Sequence, residues 1–267
     1  MTRVRALLGK ELLDLRSNAS LFVPALLTGV LSIAVPLFIA VAVPRLTGER
    51  LSDSPDFDLA IRLYGSDPST AALGAEGMAQ AWIFQQFLVM LMLSPIAGAM
   101  SIAAYAVIGE KQARTLEPLL ATPLTTAELL SAKVLGALIP SIGLTLACFG
   151  VYVLAIWLLA DPGVYTAMLT FRATSLMFLI GPLAALAALQ LAVCVSSRVN
   201  DARSAQQIGA LVILPLSVLL VAQLTGRVQI TTGAVVVAAL VLAALNLMLL
   251  ALGVAIFDRE SILTRWK

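Results

Sequence analysis

The stretch GAVVVAALVLAALNLMLLALGVAIF, residues 233–257, contains no Asp, Glu, Lys or Arg and a single amide, Asn246. A helix that crosses a bilayer needs about 20 mainly apolar residues, because each adds about 1.5 Å across a hydrocarbon core of about 30 Å. Residues 233–257 meet that length. Working outward, five more runs of the same kind appear at 20–43, 82–108, 134–159, 173–196 and 207–224, and none contains a charged residue. Barrel strands would alternate apolar and polar residues over about 10 positions. These runs are continuous and rich in Leu and Ala. Helices also satisfy their own backbone groups in lipid, where no water can do so. The pattern predicts an all-α integral membrane protein with six transmembrane helices in a single transmembrane domain, residues 1–267.

Composition agrees. Of 267 residues, 60% are hydrophobic and 12% charged, against about 45–50% and about 25% in soluble domains. Seventeen Lys and Arg oppose fifteen Asp and Glu, a net charge of +2. That balance excludes a strongly basic nucleic-acid binder and an acidic disordered tail. The chain has no His, which removes imidazole bases, His metal ligands and Ser-His or Cys-His nucleophiles. Cys148 and Cys194 both lie inside apolar runs and cannot form a CxxC or zinc site; they read as free buried thiols.

Positive residues in the connections set the orientation. Residues 1–19, 109–133, 197–206 and 258–267 together carry 12 Lys and Arg; residues 44–81, 160–172 and 225–232 carry 5. Both termini are therefore expected in the cytoplasm. Ala40-Val41-Ala42 resembles a signal-peptide cleavage site, but the run before it spans 20–43. A signal core has only about 7–15 residues, so a retained span is expected.

Within residues 3–17, Val4, Leu7, Leu8, Leu12 and Leu15 recur at helical spacing, with Arg3, Arg5, Lys10, Asp14 and Arg16 elsewhere. This predicts an amphipathic helix lying in the cytoplasmic interface, its basic groups toward lipid phosphates. Residues 44–81 form the one long outer segment. There Phe57, Leu59, Ile61 and Leu63 alternate with Asp58, Ala60 and Arg62, a period-2 pattern that predicts one short strand, followed by a turn at Gly65-Ser66-Asp67-Pro68. Pro24, Pro36, Pro95, Pro140, Pro182 and Pro215 fall in spans, where they kink helices. Ala97, Gly98, Ser101 and Ala104 allow close helix approach.

No Asp, Glu, Lys or Arg lies within the six runs; the polar groups there include Gln85, Gln86, Gln190, Gln207, Asn246 and scattered Ser and Thr. Proton pumps and ion-coupled carriers use intramembrane charges, so a proton relay has no acid here. The sequence also lacks GxxxxGK[ST], so no P-loop cradles a nucleotide. If ATP drives the protein, a partner binds it, and the large cytoplasmic connection 109–133 is where a partner docks.

That connection reads GEKQARTLEPLLATPLTTAELLSAK. Thr115 can N-cap a short helix with Glu117 in its first turn and Pro118 near its start. Leu116, Leu119 and Leu120 then share one face, and Thr122-Pro123 ends it. Thr125-x-x-Glu128 is a capping box opening the third span. An apolar helix face exposed beside a membrane is buried by lipid or by a partner.

In order, Glu110, Thr115-Leu116-Glu117, Leu119-Leu120, Thr122-Pro123, Glu128-Leu129 and Lys133, with Lys10-Glu11-Leu12 before the first span, resemble the membrane subunits of type-2 ABC transporters, the exporter-like permeases. The topological likeness covers the whole chain and the motif about 25 residues. Arg114 stands where many members have Gly and others a basic residue. The resemblance implies that residues 115–122 form a cytoplasmic coupling helix between spans 2 and 3, seated on a separate ATPase, with Glu110 at the junction. The docking set is then Glu110, Arg114, Thr115, Leu116, Glu117, Leu119, Leu120 and Thr122. Helix 3–17 resembles the family's interfacial connecting helix.

The expected protein is thus the membrane subunit of an ATP-driven exporter in the plasma (inner) membrane. It has no catalytic residue, metal or cofactor of its own. Two partner ATPase subunits bind ATP and Mg, and a second permease copy, identical or related, completes the path. A stand-alone channel or ion-coupled carrier is the alternative; it leaves helix 115–121 unexplained. An intramembrane enzyme lacks a base, and a non-transporting scaffold would need no ATPase. Drug, peptide, lipid-linked glycan, haem-related cargo and sodium all remain open as substrates.

Overall fold

The computed structural model describes residues 2–65, 70, 72–112, 126–196, 207, 211, 213–224 and 231–256. Among them the chain is helical, with no strand. Helix α1 is Thr2–Ser17, and a short 3-10 turn, Ala19–Phe22, leads into α2, Val23–Leu37. A π turn, Phe38–Ala42, and α3, Val43–Thr47, complete the first apolar length. Then come α4, Asp58–Gly65; α5, Ala75–Leu91; α6, Leu93–Gln112; and α7, Thr126–Leu159. The short α8, Val164–Met168, and α9, Phe171–Ser175, precede α10, Gly181–Ser196. Helices α11, Ile213–Leu224, and α12, Thr232–Ile256, follow.

Five lengths are long and apolar enough to cross a membrane: Ala19–Thr47, Ala75–Ala103, Glu128–Leu159, Ala173–Val195 and Thr232–Ala255. They correspond to the expected runs 20–43, 82–108, 134–159, 173–196 and 233–257. In the remaining run, 207–224, the described helix is α11, with 12 residues, which reaches only about 18 Å. Two of the helices extend beyond the charge-free runs: the second length starts at Ala75, and the third starts at Glu128 and takes in Lys133.

The expected strand at 57–63 is a helix, α4. Its alternation is real, but a lone strand would leave both edges without partners, whereas a helix closes its own backbone bonds. Asp58 stands in the first turn, where a carboxylate suits the helix dipole, and Ala60 is the buried residue. Of the turn expected at 65–68, residues 66–68 lie outside the described residues. Proline acts as its chemistry requires. The second span breaks at Met92, three residues before Pro95, whose ring clashes with the carbonyl four residues back. A π turn follows Pro36 and another, Leu176–Ile180, precedes Pro182. Pro140 is carried within an unbroken α7.

The second span is the hub. Phe84, Leu88, Leu91, Ile96 and Ile102 are almost wholly buried, as expected of a helix apolar on all sides. The α12 face instead exposes Val236, Val237, Leu240, Val241, Leu247 and Met248, a surface suited to lipid. Lipid removes the hydrophobic drive between helices, so close packing must hold them. A Cβ on Gly98 would sit 2.9 Å from Ala25 Cβ and 3.1 Å from Ser141 Oγ, so three spans meet there with no room for a side chain. Ser94 Oγ donates to the Ala25 carbonyl at 2.8 Å beside that contact.

Candidate functional site

The candidate site is the end of the bundle where α1 lies and where α6 hands the chain to α7. Helix α6 runs to Gln112 and α7 begins at Thr126. Glu110 lies in the last turn of α6, but its side chain is outside the described residues. Arg114, Thr115, Leu116, Glu117, Leu119, Leu120 and Thr122 are outside them too, as is Thr125 of the expected capping box. The structure therefore defines the frame that presents this set. Glu128 does stand in the first turn of α7, and Ser131 Oγ donates to its carbonyl at 2.9 Å.

That frame is one apolar cluster drawn from four helices. Ile96, Ala99, Met100 and Ala103 of α6 meet Leu129, Leu130, Ala132 and Ala137 of α7, with Ala185, Ala188, Leu189 and Ala192 of α10 behind. Leu7 and Leu15 of α1 close it. The α1 stripe is thus committed at least in part to protein, while Leu12 is half-exposed and Leu13 is 68% exposed.

Between Leu7 and Leu15 sits Glu11. Its Oε1 accepts from Lys133 Nζ at 3.3 Å, and the side chains are 9% and 2% exposed. The backbones approach closely there: a Cβ on Gly136 would lie 2.9 Å from Glu11 Cβ. A second pair on α1, Lys10–Asp14 at 3.9 Å, is solvent-exposed and is worth about 0.3–0.5 kcal/mol. Sequence reasoning singled out Glu11 and Lys133 only as motif ends and did not pair them. One signal was present: Glu11 lies at i+4 between Leu7 and Leu15, on the apolar stripe itself.

The interior amides mostly tie elements together. Gln85 Nε2 donates to the Ala167 carbonyl at 3.1 Å, and Gln80 Oε1 accepts from the Asp161 amide at 2.9 Å. Asn246 Nδ2 donates to the carbonyls of Leu183 at 3.0 Å and Leu242 at 2.8 Å. Gln86 Oε1, Gln190 Oε1 and Asn246 Oδ1 are buried acceptors with no hydrogen-bond partner among the described residues. Gln207 is exposed. Cys148 and Cys194 form no disulfide; Cys194 is buried as expected, whereas Cys148 is partly exposed. Among the described residues no group of three or more His, Cys, Asp or Glu is placed to hold a metal ion.

A family model described as ABC-2 family transporter protein matches residues 65–258. That match runs from the end of α4 past the end of α12 and includes the whole 109–133 connection. No curated protein matches the sequence. An apolar helical bundle with several membrane-length helices, matched over more than half its length, belongs to the ABC-2 family of transporter proteins as a permease subunit.

Proposed function

We propose that this chain is the membrane-spanning subunit of an ATP-driven exporter in the plasma (inner) membrane. It crosses six times, with α11 part of the fifth span, and both termini are cytoplasmic. Two permease copies, identical or related, enclose the substrate path. Two separate ATPase subunits, holding ATP and Mg, dock below through the 109–133 connection. Within that loop Thr115 to Thr122 form the contact helix, Leu116, Leu119 and Leu120 supply its apolar face, and Arg114 and Glu117 its charged rim. Glu110, at the end of α6, makes the polar contact at the junction.

The observation that carries this reading is the family match across the loop, with a chain that has no P-loop of its own. ATP-driven closure of the ATPases displaces the loops, and the bundle switches between two rigid-body states. The ligand shifts that equilibrium only by its differential affinity for the two states. α1 lies along the cytoplasmic interface, with Leu12 and Leu13 at the headgroup boundary.

The test is a double substitution, Leu119→Asp with Leu120→Asp, in the tagged chain. It is expected to insert normally and to lose the co-purifying ATPase. Retention of the ATPase at wild-type stoichiometry would overturn the docking assignment.

A further inference from the structure

One ion pair at the α1 end is shut away from water, and the proposed function gives it no task. Glu11 and Lys133 meet at 3.3 Å with side chains 9% and 2% exposed. Glu11 is centred on the docked face of α1, one turn from Leu7 and one from Leu15, both buried. Lys133 lies on α7 seven residues beyond Thr126, the first described residue after the 113–125 segment, or about 10 Å along the helix. Gly136, one turn further, leaves room for the Glu11 stem. At its other end α1 is separated from the first span by Asn18 alone, which is tied back by Asn18 Nδ2 to the Asp14 carbonyl at 3.1 Å.

We infer that Glu11 and Lys133 fix the register of α1 on the third span, so that the two helices move as one body and carry displacement at the ATPase-docking connection into the first span. They are positioning residues. Their part in transport rests on the function proposed above; their part in setting register does not. The physical ground is that stability alone does not require a buried pair, since apolar residues of similar volume are often as good or better. The leucines and alanines around the pair grip equally well after a small slide. The charges do not, because sliding or rotating α1 strands the Glu11 carboxylate out of water. A one-turn shift of one helix past another is a known way for packed helices to switch, and the pair opposes it.

The experiment measures the distance from α1 to the far end of the third span. Spin labels are placed by Leu13→Cys and Leu154→Cys, both at exposed positions, in a chain carrying Cys148→Ala and Cys194→Ala. Distances are read by electron–electron resonance in lipid nanodiscs, for the chain alone and for its complex with the ATPase, nucleotide-free and vanadate-trapped. The expected result is one narrow distance, unchanged between the nucleotide states. The variant Glu11→Leu with Lys133→Met keeps the fold and adds a second distance displaced by about 5 Å, one helical turn. The charge swap, Glu11→Lys with Lys133→Glu, restores the single distance.

A Glu11→Leu/Lys133→Met chain as narrow as wild type would overturn register setting. So would a swap that stays as broad as that variant. A wild-type distance that shifts between nucleotide states would overturn the single moving body. If no ATPase accompanies the chain, the proposed function fails, yet the three chains measured alone still decide whether the pair sets register.

Discussion

The two ends of this bundle are fastened differently. At the end away from α1, polar contacts are many and spread out. Arg45 Nη2 donates to the Leu159 carbonyl at 2.8 Å, Gln80 takes the Asp161 amide, and Gln85 holds the Ala167 carbonyl. Tyr152 Oη donates to the Phe84 carbonyl at 2.9 Å, with the two rings edge to face at 6.0 Å. Glu76 accepts from the Ser52 amide at 3.1 Å, and Phe57 stands edge-on to Trp82. At the α1 end the described polar fastening between α1 and α7 is concentrated in Glu11–Lys133, set in leucine and alanine. Hydrogen bonds between membrane helices average about 0.6 kcal/mol, so the far end loses little with any one of them. Breaking a buried ion pair by removing one partner costs about 3–5 kcal/mol. The far end is thus held by many weak contacts, and the α1 end by one strong pair among those described.

Single substitutions separate the two kinds of fastening. The largest effect is expected from Lys133→Ala, which strands the Glu11 carboxylate and destabilises the protein by about 3–5 kcal/mol. Glu11→Leu with Lys133→Met together should recover most of that loss. Thermal unfolding in detergent measures both, and equal losses for the single and double variants would erase the distinction. Next comes Gly98→Ala. Its new Cβ would sit 2.9 Å from Ala25 Cβ, and overpacking of this kind costs about 1–3 kcal/mol. At the far end Tyr152→Phe removes one buried hydrogen bond, and the expected loss is about 0.6 kcal/mol, within a ceiling of about 1.7. A drop as large as that of Lys133→Ala would show that the far end too depends on one contact. The smallest effect belongs to Lys10→Ala, on the same helix as Glu11 but in an exposed pair, with an expected change of about 0.3–0.5 kcal/mol.

Much of this architecture was legible in the sequence, for particular reasons. Lipid imposes length and continuity on apolar helices, so residues 233–257 announced α12 within a residue or two. The 109–133 connection reads as an interruption between two spans because Pro118, Pro123 and its charges break the apolar pattern; its ends, 109–112 and 126–133, are helical. Its internal helix remains a proposal, because residues 113–125 lie outside the described part of the chain. The segment 57–63 was misread because period-2 alternation over seven residues also fits two helical turns, and only the absence of a strand partner decides. The helix of the third span opens at the capping-box end, ahead of the charge-free run, and takes in Lys133, a charge that can be buried only with a partner. That partner, Glu11, is 122 residues away, and no local pattern reports such a contact. The interior amides were legible as polar groups, but their partners are backbone carbonyls and amides of distant turns, which side-chain patterns do not reveal.

The central claim is that this permease is driven by an ATPase of separate sequence that docks on the 109–133 connection. The most direct test is to purify the tagged chain from its native membrane in mild detergent and identify what accompanies it. The account predicts a P-loop ATPase in one-to-one ratio with the permease, released when Leu119 and Leu120 are changed to Asp. A chain that purifies alone, with no response to ATP, would contradict it and return the protein to a stand-alone channel or carrier.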